Sequence, residues 1–264
     1  MLRIAYFISI LFFLLSCTSQ STVSINNGYV DFPEVRELKA KTIQLDTALF
    51  RYPFRVHAWD NKAVVLDLHG TDHYFHAFSY PEFHYLSSFG KRGDAPEEML
   101  SAENFRWGEK CLWTLDANKS ELTELGFALS GDTLLRQEVV KLDKDILRAL
   151  DFIIYEDSTF IIPDYTGDNR FCQVSSEGKL LRKFGAIPSA NEEALANSRP
   201  ALAQAWRSFI DYNPRKGVLV AATQLGEVLE IYNLKDSTHV VCTGPHGEPE
   251  FQVAQGLWVL AMYK

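Results

Sequence analysis

The sequence predicts an all-β array, a β-propeller of four-stranded antiparallel blades, and three observations predict it. An aromatic residue recurs at the end of an apolar run: Trp59, Trp107, Tyr155 and Tyr212, at intervals of 48, 48 and 57 residues. Each is followed by a charged or Gly-containing turn and a second apolar run, which closes on Asp67, Asp116 and Asp164 in three copies and on Thr223 in the fourth. Phe89–Gly90 and Phe184–Gly185 end the first and third copies and Thr243–Gly244 the fourth, while the second copy has no such ending. A repeat of roughly 40–50 residues carrying four short strands is the mark of a propeller blade.

Blade one spans about 54–90. Its strands are Phe54–Trp59, Ala63–Leu68, Tyr74–Tyr80 and Phe83–Phe89, β-branched and aromatic runs separated by turn residues. The Gly-, Pro- and charge-rich stretch that follows is a surface linker. Blade two, 103–142, places strands at Asn104–Trp107, Cys111–Leu115, Glu121–Ala128 and Thr133–Leu142, the last pair turning at Ser130–Asp132. Blade three, 146–185, ends in a hairpin turned at Ser176–Glu177–Gly178, where glycine supplies a positive φ.

Two signals compete before blade four. Asn191–Asn197 reads as one or two helical turns, and after Pro200 the residues Leu202, Ala205, Trp206, Phe209 and Ile210 follow helical spacing. The repeat register instead makes Trp206–Tyr212 the first strand of blade four, 206–244. Register is preferred, because the turn at Asn213–Gly217 and the run Val218–Ala222 match the other copies. Phe251–Ala254 and Leu257–Tyr263 read as two strands of a partial fifth blade, 249–264. Thr42–Leu45 is the candidate strand for closing the ring.

The chain has 264 residues, a net charge of -8 and no basic stripe, so it has a sizeable core and no nucleic-acid footprint. Residues 1–16 have one early cation, Arg3, and an apolar run, Ile4–Leu15, too short to span a bilayer comfortably but suited to a signal peptide. Leu14–Leu15–Ser16–Cys17 resembles a bacterial lipobox, which makes Cys17 the lipid-attachment residue and 17–30 a polar tether. The expected address is the cell envelope, at the periplasmic face of the outer membrane. The remaining cysteines, Cys111, Cys172 and Cys242, sit at different strand positions and read as small buried hydrophobes.

Three passages carry a family resemblance: Phe89–Met99 (FGKRGDAPEEM), Ser176–Gly185 (SEGKLLRKFG) and Ala203–Leu234. With the lipobox, they resemble the TolB-like six-bladed β-propeller lipoproteins of Bacteroidetes, relatives of NHL-type propellers. The resemblance covers about Val30 to the end and implies architecture rather than chemistry. Against a six-bladed relative, four full blades and part of a fifth read as a C-terminally truncated, incomplete six-bladed ring.

Candidate ligand-binding residues come from the loops between second and third strands and from the linkers between blades: Asp67, His69, His73, Lys91, Arg92, Asp116, Asp164, Asp168 and Arg170. Loops on one rigid rim are where scaffolds bind partners. The recurring aspartate has a second reading, as a turn-former accepting nearby backbone N–H groups. His69, His73 and His76 with Asp72 have metal-ligand chemistry but no helix to align them, and solvated loop histidines are the other reading. Asp164–Asn169 lacks the spacing and closing Glu of a calcium loop. No catalytic motif is present, and neither a metal nor a cofactor is implied. The sequence therefore points to a non-enzymatic, membrane-anchored module binding a periplasmic protein, peptide or glycan. The alternative is a metal-dependent propeller hydrolase or lyase, which needs inward-facing carboxylates or histidines from several blades.

Overall fold

The computed structural model describes residues 22–25, 34–45, 50–109, 111–127, 134–156, 159–253 and 261–262. The first strand is β1 (Thr22–Ile25). Blade one is β2 (Pro53–Trp59), β3 (Lys62–Asp67), β4 (His73–Ser79) and β5 (Tyr85–Lys91), hydrogen-bonded in that order. Blade two is β6 (Ala102–Trp107), β7 (Leu112–Asp116), β8 (Glu121–Phe127) and β9 (Leu134–Lys141). Blade three is β10 (Ile153–Ile154), β11 (Phe160–Pro163), β12 (Phe171–Val174) and β13 (Leu180–Phe184). Blade four is β14 (Ser208–Asn213), β15 (Val218–Thr223), β16 (Val228–Asn233) and β17 (Thr238–Thr243). Every pairing within a blade is antiparallel. The four sheets form a four-bladed propeller.

The second strand of each of the first three blades is buried on both faces and mostly apolar, with Thr114 the one polar residue inside the run in blade two. Side chains alternate across a sheet. Leu112 therefore packs with Phe75 and Phe105 between blades one and two, while Trp113 and Leu115 pack with Phe152 and Phe160 between blades two and three. Ile162 faces blade two and Ile161 faces blade four, where Ile210, Leu219 and Tyr232 meet it. Blades one and four meet more sparsely, through the rings of Phe54 and Phe209 at 6.1 Å and the Arg55 guanidinium over Phe209.

The repeated Phe–Gly has a packing cause. Phe89 stacks on Phe75 of β4 at 5.1 Å, and Phe184 lies against Phe171 of β12 at 5.5 Å. The following glycines adopt positive φ, Gly90 at +65° near the end of β5 and Gly185 at +70° just past β13. A Cβ on Gly90 would lie 2.6 Å from the Phe75 ring, so glycine is required there twice over.

Between blades three and four lie α1 (Glu192–Asn197), capped by the Asn191 side chain on the Ala194 amide, and α2 (Arg199–Ala205), with Pro200 in its first turn. Leu202 and Trp206 pack against Tyr165 and Val228, which closes the second-to-third-strand end of these blades. Both competing signals held on their own ground. The helical spacing is real up to Ala205, and the strand starts at Ser208, two residues later than the repeat register places it.

Two expectations are corrected at the N-terminal side. The described residues 41–45 form no strand. Instead β1, within the stretch read as a tether, pairs in parallel with β17, Thr22 opposite His239 and Ile25 opposite Cys242, as a fifth strand on blade four. Of the partial fifth blade, β18 (Gln252–Val253) and β19 (Ala261–Met262) form a two-stranded ladder. Cys17, the signal segment and the turn at 130–132 lie outside the described residues.

Candidate axial binding cleft

The aspartates that mark the repeat are turn-formers, buried and engaged by their own backbone. The Asp67 carboxylate accepts the amides of Arg51, Tyr52 and His69 at 2.8, 2.6 and 3.3 Å. Asp116 accepts those of Leu100, Ser101, Asn118 and Lys119 at 2.7–3.2 Å. Asp164 holds the Thr166 amide and hydroxyl and pairs with Lys183 at 3.1 Å. Thr223 does the fourth copy's version, its hydroxyl taking the Val228 amide at 3.2 Å. In blades one and two this carboxylate also pins the incoming linker to its blade. Asp67, Asp116 and Asp164 are thus buried and engaged by turn and linker groups.

Arg170 is also internal. It is 2% exposed and bonds Glu230 (Nε to Oε1, 2.8 Å) and the Ser208 hydroxyl, while the Tyr232 hydroxyl donates to the other Glu230 oxygen at 2.7 Å. Burial alone would push Glu230 up, but the Arg170 charge and the hydrogen bonds from Arg170 and Tyr232, with His239 Nε2 3.4 Å away, hold it below the ordinary carboxylate value.

The other candidates stay near the surface. Lys91 pairs with Glu98 at 2.6 Å, Arg92 reaches the Gly70 carbonyl and covers Tyr74, His69 lies against Tyr52, and Asp168 is exposed. His73, Lys91 and Asp116 share a cleft of about 250 Å³ between blades one and two; Asp164, Asp168 and Arg170 belong to another blade. His76 bonds Ser88 at 2.8 Å, and no group of three metal-ligating side chains occurs among the described residues.

The four innermost strands converge on an ionic network that sequence reasoning did not single out. Asp151, just before β10, is 4% exposed. Its carboxylate accepts the Asn104 amide group, the Arg106 guanidinium at 3.1 Å and the amides of Phe152 and Ile210 at 2.8 and 3.3 Å, with Arg55 at 3.9 Å. Arg106 also donates to the carbonyls of Phe152 and Ile210 and to Asp211 at 3.2 Å. Each of the four blades contributes a group, so the network ties the ring across its axis. The inward carboxylates, Asp151 and Asp211, are matched by Arg106 and Arg55.

A cleft of about 450 Å³ lies against this network, within the usual range of ligand sites. His57, Arg106, Trp107, Tyr155, Asp211 and Tyr212 line it, with Gly108, Glu109, Glu156 and Pro214 from the turns after the first strands. It therefore opens at the end of the blades opposite the loops that carry Asp67 and its equivalents. The recurring aromatics occupy equivalent places: Trp59 stacks on Trp107 at 5.3 Å, and Tyr155 meets Tyr212 edge-on at 5.4 Å. Burial, with the nearby Arg106 charge, holds the His57 imidazole below its ordinary value, so it is neutral at neutral pH. Burial and the neighbouring Glu156 push the Tyr155 hydroxyl up. The signal that could have found the cleft was the aromatic repeat itself, which marks the mouth as well as the register.

A family model described as TolB-like 6-blade propeller-like matches residues 31–262. Similar solved structures include an exported protein of Bacteroides fragilis (10% identity, 84% of this chain and 80% of that one, TM-score 0.49) and a duf4221 family member from Bacteroides vulgatus (11%, 85% and 66%, 0.48). Streptogramin B lyase is another (12%, 72% and 54%, 0.46), so this chain spans about half the length of that protein. No curated protein matches.

Proposed function

The chain belongs to the TolB-like 6-blade propeller-like family, and on that premise we propose that it is a binding module of the cell envelope that receives its partner in the axial cleft. The observation that carries this reading is the convergence of all four innermost strands on one solvent-open cleft walled by three of the recurring aromatics, Trp107, Tyr155 and Tyr212. A rigid scaffold with a preformed mouth costs little to order on binding. Arg106 and Asp151 act as positioning residues, holding the walls at fixed spacing.

Lipid attachment at Cys17 fits the same reading, since an anchor of several acyl chains holds a protein stably at a membrane. The partner class is a periplasmic protein, peptide or glycan, and the face is the periplasmic side of the outer membrane.

Two measurements test this. Palmitate labelling of the full-length protein is expected to vanish in Cys17→Ser, and labelling that persists contradicts the anchor. A photo-crosslinking residue at Pro214, at the mouth, is expected to give a defined adduct in intact cells, while one at Leu181 on the outer edge gives none. Equal adducts at both positions, or none at Pro214, contradict the cleft as the binding site.

A further inference from the structure

The lining of the cleft has a charge imbalance. Glu109 and Glu156 are exposed at the mouth, and the Asp211 side chain is 76% exposed. The single cation among the described lining residues is Arg106, 12% exposed, with its guanidinium spent on Asp151, Asp211 and two carbonyls. Lys110 and Asp157 adjoin Glu109 and Glu156 in sequence and lie outside the described residues. Half-buried rings of Trp107, Tyr155 and Tyr212 stand beside these carboxylates. Aromatic faces attract a cation through their quadrupole, and adjacent carboxylates strengthen the effect.

We propose that the axial cleft is a cation site that takes a basic side chain of a partner polypeptide, its guanidinium or ammonium group held against Tyr155 and Tyr212 with Glu109 and Glu156 balancing the charge. This rests on the reading of the cleft as the binding site and adds the chemistry of what enters. Burial is the main cause of the raised Tyr155 and Tyr212 hydroxyls; Glu156 adds to both, Tyr155 adds to Tyr212, and Arg182 opposes the shift at Tyr155. A neutral sugar would also stack on aromatic rings, but it gains nothing from the two exposed carboxylates beside them.

The test is calorimetric titration of the purified full-length protein with Nα-acetyl-arginine amide, Nα-acetyl-lysine amide, Nα-acetyl-citrulline amide and methyl β-glucoside. Citrulline keeps the shape of arginine and removes its charge. The arginine and lysine probes are expected to bind, the arginine probe about tenfold more tightly than the citrulline one, and more weakly as salt rises. Glu109→Gln with Glu156→Gln is expected to weaken the arginine probe about fivefold with Tm unchanged, and Tyr212→Leu to weaken it about threefold. Equal binding of citrulline, tighter binding of the glucoside, indifference to the double substitution, or no binding by any probe overturns the proposal. A crosslinked adduct at Pro214 without arginine preference overturns the cation assignment alone and leaves the cleft standing.

Discussion

At the residue scale, the repeat aspartate and the Arg170–Glu230 pair do related work: each satisfies buried backbone or charge that blade packing creates. Asp116→Ala strips the acceptor from four amides, and we predict a loss of about 3 kcal/mol in urea denaturation, with Asp116→Asn in between. Arg170→Met leaves Glu230 buried and unpaired and is predicted to cost about 3–5 kcal/mol, whereas Arg170→Met with Glu230→Leu recovers most of it. The pair also sets an acid limit. A carboxyl held below its unfolded value contributes stability that is full above that value and lost as pH falls through the folded one. Wild type is therefore predicted to lose stability below about pH 4.5, the ordinary value of Glu230, and the paired apolar variant to lose it with a shallower slope, read by urea midpoints against pH. The turn-forming role of Asp67 was one of two legible readings. Arg170 was not legible as a core residue, because no local pattern announces a partner 60 positions away.

At the element scale, most strands were legible because second strands buried on both faces are unbroken apolar runs, such as Val64–Leu66 and Phe160–Ile162. Where a helix joins a strand, as at Ala205 and Ser208, the two periodicities overlap and neither alone fixes the boundary. β1 was illegible for a different reason. Thr22–Ile25 is polar and apolar in alternation like any edge strand, and its partner β17 lies at the far end of the chain. Val23→Pro with Ser24→Pro removes ladder amides of either parity. We predict faster hydrogen exchange along β17 in that variant and no change in β11; unchanged exchange in β17 contradicts the fifth-strand pairing.

At the scale of the whole molecule, four copies of one sheet bury each other's faces, and their inner strands meet at a network that joins every blade. The fold was readable from the 48-residue recurrence, but the cleft was not. Its lining comes from four positions about 50 residues apart that touch only after the ring forms. On the opposite rim the repeat carboxylates Asp67, Asp116 and Asp164 hold turns, while Lys91, Arg92 and Asp168 stay at the surface. Equivalence of the four aromatics around one axis is tested by nuclear Overhauser effects between aromatic rings. Cross-peaks are predicted between Trp59 and Trp107 and between Tyr155 and Tyr212, with the Arg106 guanidinium protons in contact with Phe152 and Ile210. Cross-peaks confined to residues within single repeats would contradict it.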